Sequence, residues 1–164
     1  MTGHPGRLGY KRIGSVTLPL RDNDRSRERR RGYFAPLKEI GLPADPDLVL
    51  EAPSGFAEGA DALVRLVQTH PDIDACFFAG DVLAVGALFE CQRRGWVVPG
   101  RIAIASFDDL DLLRHTVPTV TTLRIPRQDI GRRSAELLVN RLRGASRQKV
   151  RIDVGFEIVQ REST

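Results

Sequence analysis

Short apolar runs of β-branched character alternate with longer stripes of helical period along this chain, and that alternation narrows the fold more than any other feature. Lys11–Leu18 reads as a strand built around Ile13 and Val16. Asp24 then stands as the N-cap of a helix on which Tyr33, Phe34, Leu37 and Ile40 recur, and Gly41 with Pro43 stops it. Leu48–Leu50 is a second short strand, and Ala57–Gln68 a second helix with Leu63, Val64 and Val67 on one face. Ala75–Ala79 is apolar without a break, as a strand covered on both faces of a parallel sheet has to be. Asp81, read as an N-cap, opens a helix that runs to Arg94 and ends at Gly95, and Ile102–Phe107 is a fourth strand. Strands taken in turn with helices mean parallel βαβ units, so the expected fold class is α/β with a doubly wound parallel sheet.

After Thr122 the pattern changes. Leu123–Ile125 is extended, and Pro126 suits the first turn of a helix through Arg143, with Gly144 behind it. Two further extended runs follow, Val150–Val154 and Phe156–Gln160. The expected division is therefore one lobe over residues 1–123 and part of another over 124–164. In an open parallel sheet, ligands bind beyond the carboxyl ends of the strands. That rule nominates Pro19–Arg29, the loop around Pro53, Gly80–Asp81 and Phe107–Asp109.

Composition removes several other classes. The 164 residues, 41% of them hydrophobic, can bury the core of one ordinary domain or two small lobes. No apolar run is long enough to span a bilayer, and Met1–Arg7 is too polar for a secretory signal, which points to the cytoplasm. Cys76 and Cys91 form no CxxC pair and read as reduced, partly buried thiols. The net charge of +4 comes largely from Arg21–Arg31 and Arg124–Arg151, yet no homeodomain, zinc-finger or RNP pattern is present. His4, His70 and His115 share no metal-ligand spacing, and Asp108, Asp109 and Asp111 are too few ligands for a metal. Neither a GxSxG elbow nor a P-loop occurs. The chain is expected to carry no catalytic constellation, metal or cofactor.

Several motifs in a fixed order carry a resemblance. They are the segment Phe78–Ala87, with Ala79-Gly80-Asp81 at its turn, then Gly95, Pro99 and Ile102–Asp109. Pro118–Leu123, Pro126, Gly131–Ala135 and the close Arg161–Thr164 complete the set. From about Gly9 onward the chain resembles the LacI/GalR family of sugar-responsive transcription regulators. The resemblance implies a periplasmic-binding-protein-like type I fold. Residues 1–123 would be most of the C-terminal lobe of an effector-binding core. Residues 124–164 would be a crossover, helix and terminal strands of the N-terminal lobe. The family's helix-turn-helix headpiece, hinge and first half of the core have no counterpart here, so DNA would be met only through a headpiece this chain lacks. Glu90-Cys91-Gln92-Arg93, after Ala87-Leu88-Phe89, is similar to gluconate-type repressors and points to a sugar acid. A transport-type periplasmic sugar-binding protein is the alternative that shares the fold.

The same resemblance implies roles for single residues. Arg29, three residues before Gly32, would reach ligand hydroxyls or a carboxylate with its planar fork, while its arginine neighbours form a solvated basic face. Asp108 would accept from sugar hydroxyls, and Asp109 would be structural. Gly80 replaces the family's asparagine, so a side-chain contact to the sugar is lost there. Ser54 stands where many relatives place an aromatic ring, Phe107 lies at the end of its strand, and Ile125 and Arg127 fall at the crossover to the other lobe. Trp96 reads as a packing residue. A homodimer is implied, with Val85, Leu88, Leu112 and Thr116 as candidate interface residues.

Overall fold

The computed structural model describes residues 8–144 and 150–164. The polar stretch Met1–Arg7, and His4 with it, lies outside the described residues. Six strands form one sheet: β1 (Ile13–Thr17), β2 (Val49–Glu51), β3 (Ala75–Phe78), β4 (Ala103–Phe107), β5 (Thr121–Arg124) and β6 (Glu157–Val159). Their order is β2-β1-β3-β4-β5-β6. The first five pair in parallel, and β6 runs antiparallel to β5. Four α-helices accompany them among the described residues: α1 (Asp24–Glu39), α2 (Phe56–Thr69), α3 (Asp81–Arg94) and α4 (Arg127–Leu142). The expected α/β class and its doubly wound parallel sheet are present.

Both faces of the sheet are covered, and this is why β3 is apolar at every position. On one face Val16, Phe78 and Ile104 pack with Leu63 and Leu66 of α2 and Leu83 and Leu88 of α3. On the other, Ile13, Ala75 and Ala103 meet Tyr33 and Leu37 of α1. The Tyr33 hydroxyl, buried there, donates to the Ile13 carbonyl at 2.5 Å, so the ring is covered without orphaning its polar end. Cys76 and Cys91 are free thiols in the first core, fully buried rather than partly so. Burial pushes both pKa values up, that of Cys91 to about 12.

Helices α2 and α3 touch backbone to backbone because glycine lies at both contacts. A Cβ on Gly59 would stand 2.1 Å from the Leu83 carbonyl oxygen, and one on Gly86 only 2.0 Å from that of Phe56. Helix α3 ends at Gly95, whose φ of 68° turns the chain so that Trp96 N–H reaches the Cys91 carbonyl at 2.9 Å.

Several expectations are corrected. Asn23, not Asp24, caps α1: its Oδ1 accepts from the Ser26 N–H, and Asp24 is already the first helical residue. Gly80, not Asp81, occupies the N-cap position of α3. Of the two late extended runs only the second holds a strand, and Val150–Val154 joins no sheet. Near the end of the chain, β6 extends the same sheet by pairing with β5. Ser163 also donates through Oγ to the Ile104 carbonyl at 2.6 Å and accepts from the Thr121 N–H at 2.8 Å. Only α4 stands away, with no buried residue.

Replacing Gly86 with alanine forces two backbones apart and should cost about 1–3 kcal/mol, the range for overpacking a filled core. Gly131→Ala in α4, where a Cβ meets nothing within 4 Å, should be neutral or slightly stabilising. Urea unfolding midpoints of the two variants check this. Equal midpoints would mean that α2 and α3 can separate at no cost.

Candidate functional site

Strand order reverses between β1 and β3, since the chain moves to β2 on one side and then returns to β3 on the other. At such a switch point the two following loops diverge and leave a crevice. A cavity of about 330 Å³ lies there, lined by Leu18 and Asn23 beyond β1, Arg25 and Arg29 of α1, and Ser54 beyond β2. Ala79, Gly80, Asp81 and Val82 beyond β3, with Asp108 and Leu110 beyond β4, complete the wall. The structure thus brings together Arg29, Ser54, Gly80 and Asp108. Leu18, Asn23, Arg25, Val82 and Leu110 line the same cavity without having been singled out from the sequence.

Arg29 follows Ser26 by three positions and precedes Tyr33 by four, so it shares the inward face of α1. Its Nη1 donates to the Ala79 carbonyl at 3.1 Å, and its guanidinium carbon lies 4.0 Å from the centre of the Phe107 ring. Phe107 is therefore a platform for Arg29. Among the described residues the remaining guanidinium donors have no hydrogen-bond partner. Burial lowers the Arg29 pKa, Asp108 works against that and Arg25 adds to it. An arginine so lowered still carries its charge at neutral pH.

Asp81 is only 3% exposed and its carboxylate is fully used. Oδ1 accepts from Ser106 Oγ at 2.6 Å and from Thr122 Oγ1 at 3.4 Å, and Oδ2 from the Leu110 N–H at 2.6 Å. Burial raises its pKa, while the hydrogen bonds from Ser106, Leu110 and Thr122 hold it back. Asp81 fastens β4, β5 and the loop after β4 beneath the cavity.

Between those fastenings Asp108 and Asp109 take φ values of 121° and 61°, a region that side-chain-bearing residues seldom occupy. The two neighbours then diverge. The Asp108 side chain lines the cavity and accepts no hydrogen bond from a described residue. Asp109, its side chain 3% exposed, accepts from Arg124 Nε and from Arg161 Nη2, both at 2.6 Å, with Arg114 at 3.7 Å. Burial alone would raise the Asp109 pKa, but Arg161 and Arg124 outweigh it and hold the carboxyl below its ordinary value. Arg127 is not part of the cavity: it borders a separate recess with Asp108, Asp109, Arg114 and Arg124, and donates to the Asp108 carbonyl.

The candidate interface residues are placed otherwise than expected. Val85 and Leu88 are at most 1% exposed because they face the core of their own lobe. Thr116 is buried too, its hydroxyl donating within its own turn to the Leu113 and Pro118 carbonyls. Leu112 remains on the surface. Among the described residues no group of three or more His, Cys, Asp or Glu side chains could hold a metal ion, and no helix is long and apolar enough to cross a membrane.

Comparison with known proteins agrees with the fold. A family model described as a periplasmic binding protein-like domain matches residues 3–164. The HTH-type transcriptional regulator GntR of Pseudomonas aeruginosa is 37% identical over 95% of this chain and 45% of its own length. The HTH-type transcriptional regulator CelR of Thermobifida fusca is 32% identical over 94% of this chain and 45% of its own. A solved CelR–cellobiose complex superposes with a TM-score of 0.93 at 31% identity, over 99% of this chain and 50% of that one. The transcription regulator GntR of Chromobacterium violaceum does so with a TM-score of 0.90 at 38% identity, over 99% of this chain and 59% of that one. The chain spans about half the length of these relatives.

The Asp109 cluster has a pH signature. A carboxyl held below its ordinary value contributes stability that is full above the usual carboxylate range and is lost as pH falls through the depressed value. Asp109→Asn should cost about 3 kcal/mol at pH 7, the lower end for breaking a buried ion pair, because Arg124 is partly in solvent. The gap between variant and parent in urea midpoint should narrow below pH 4. A gap that stays constant down to pH 2.5 would show that the charge of Asp109 contributes nothing.

Proposed function

Since the chain belongs to the periplasmic binding protein-like domain family, in the form that LacI-type transcriptional regulators carry, we propose that it is the effector-binding part of such a regulator. The observation that carries the proposal is the pairing of Arg29 and Asp108 across one cavity. Each presents hydrogen-bonding capacity that no described residue fills. An ionised carboxylate only accepts and a guanidinium only donates. A vicinal polyol satisfies both, so the ligand class is a sugar or a sugar acid. One relative bears on this class, the regulator CelR solved as a complex with cellobiose.

The mechanism is a shift of population. An effector that contacts this lobe and a facing lobe binds a closed arrangement better than an open one, and thereby favours it. Residues 124–164 supply the crossover and α4, the piece of that second lobe carried here. Arg127 begins it, tied to the Asp108 carbonyl at the cavity rim. Specific DNA binding belongs to a headpiece outside this sequence. The chain works in the cytoplasm as a ligand sensor with no chemistry of its own, and pairs with a second copy through the Leu112–Val117 stretch, where Leu112 and Val117 are exposed. That the relatives are transcription regulators favours this reading over a transport role.

A thermal-shift screen against sugars and sugar acids tests the proposal, because a ligand of the folded state raises the midpoint by mass action. Arg29→Ala and Asp108→Ala should each weaken the active compound about tenfold to a hundredfold, as expected for losing charged hydrogen bonds worth 1.5–3 kcal/mol. Retention of full affinity in both variants would place the binding site elsewhere.

A further inference from the structure

The charges that line the cavity are divided between its two sides. Of its lining side chains, Arg25, Arg29, Asp81 and Asp108 bear charge, but the Asp81 oxygens are spent on Ser106, Thr122 and the Leu110 N–H. Two guanidiniums stand on the α1 side and two carboxylates beyond β3 and β4, of which only Asp108 accepts no hydrogen bond from a described residue. Nor are the nearby acids of α1 free to neutralise the first pair: Asp24 is bound to Arg27 and Glu28 to Arg31, four side chains that do not line the cavity. Arg25 is exposed and makes no hydrogen bond or ion pair among the described residues. Burial is the main cause that lowers the Arg29 pKa, Asp108 opposes it, and the like charge of Arg25 adds to the lowering. Like charges held beside one cavity are costly unless an anion is shared. Gly80, next to the Ala79 carbonyl that Arg29 binds, leaves room, since a Cβ there would meet nothing within 4 Å.

We propose that Arg25 determines the charge class of the effector: with Arg29 it takes the acid group of a polyhydroxylated anion, whose hydroxyls reach Asp108 across the opening left by Gly80. The inference rests on the effector-site reading above and goes beyond it by assigning the acid group and the residue that reads it. Arg25 holds no structural contact, so its substitution is expected to leave the fold intact. A circular-dichroism melt checks this.

The probes are sodium gluconate and glucitol, a carboxylate and a neutral polyol of matching hydroxyl pattern, measured by calorimetric titration. The parent chain should bind gluconate at least about tenfold tighter than glucitol. Arg25→Gln should remove that preference by weakening gluconate about tenfold while leaving glucitol within about twofold. Arg25→Lys, which keeps a charge without the planar fork, should fall between. Added NaCl should weaken gluconate binding to the parent more than to the glutamine variant. If Arg25→Gln binds gluconate as the parent does, or if the parent prefers glucitol, Arg25 does not read an acid group. The effector-site reading would then still stand on Arg29→Ala and Asp108→Ala. If the parent binds neither compound, this inference fails, and the effector-site reading is decided by the wider screen with Arg29→Ala and Asp108→Ala.

Discussion

A single buried carboxylate organises the binding end of this lobe. Asp81 sits where a charge is costly, and three donors from three different segments offset that cost. Ser106 belongs to β4, Thr122 belongs to β5, and the Leu110 N–H ends the loop that carries the two aspartates. Remove the carboxylate and each loses the partner that fixes its place beside the cavity. The position therefore serves less to begin a helix than to gather strand ends, which is why Gly80 can occupy the N-cap with no side chain at all.

The loop clamped by Asp81 carries one dipeptide whose two carboxylates have different surroundings. Asp108 donates its N–H to the Leu123 carbonyl at 3.0 Å, and Leu110 is held two residues on. The backbone between them has little choice but the left-handed region at Asp108 and Asp109. Such conformations cost of order 1–3 kcal/mol each and persist where the surroundings over-determine them. Here they do so by turning adjacent carboxylates in opposite senses. Asp109 enters a cage of arginines, while Asp108 lines the cavity and accepts no hydrogen bond from a described residue. The same arginines begin or brace the crossover, so the cavity wall and the crossover share one electrostatic joint.

Much of this was legible in the residues. Periodicity placed the five parallel strands and four helices to within a few positions, because apolar runs buried on both faces look different from one-sided helical stripes. The strand-end rule and the family resemblance together found Arg29, Ser54, Gly80 and Asp108. Contacts between residues distant in sequence were not legible. Asp81 looked like a cap because its partners lie 25 to 41 residues away. Val85 and Leu88 looked like interface residues because nothing local reveals that Gly59 and Gly86 draw α2 against α3 and leave their side chains no outlet. Arg25 looked like one more solvated charge, since its separation from Asp24 and Glu28 depends on which arginines those acids bind.

Helix α4 stands almost wholly in solvent, fastened near its root by Arg127 to the Asp108 carbonyl and by Arg124 to Asp109. Its geometry is that of a lever hinged at the rim of the cavity. Sixteen residues at 1.5 Å each make an arm of about 24 Å, so a tilt of about 5° at the root sweeps the tip through about 2 Å. Were Asp108 to shift by an amount too small to alter a contact within the sheet, the far end of α4 would move enough to change which side chains meet there.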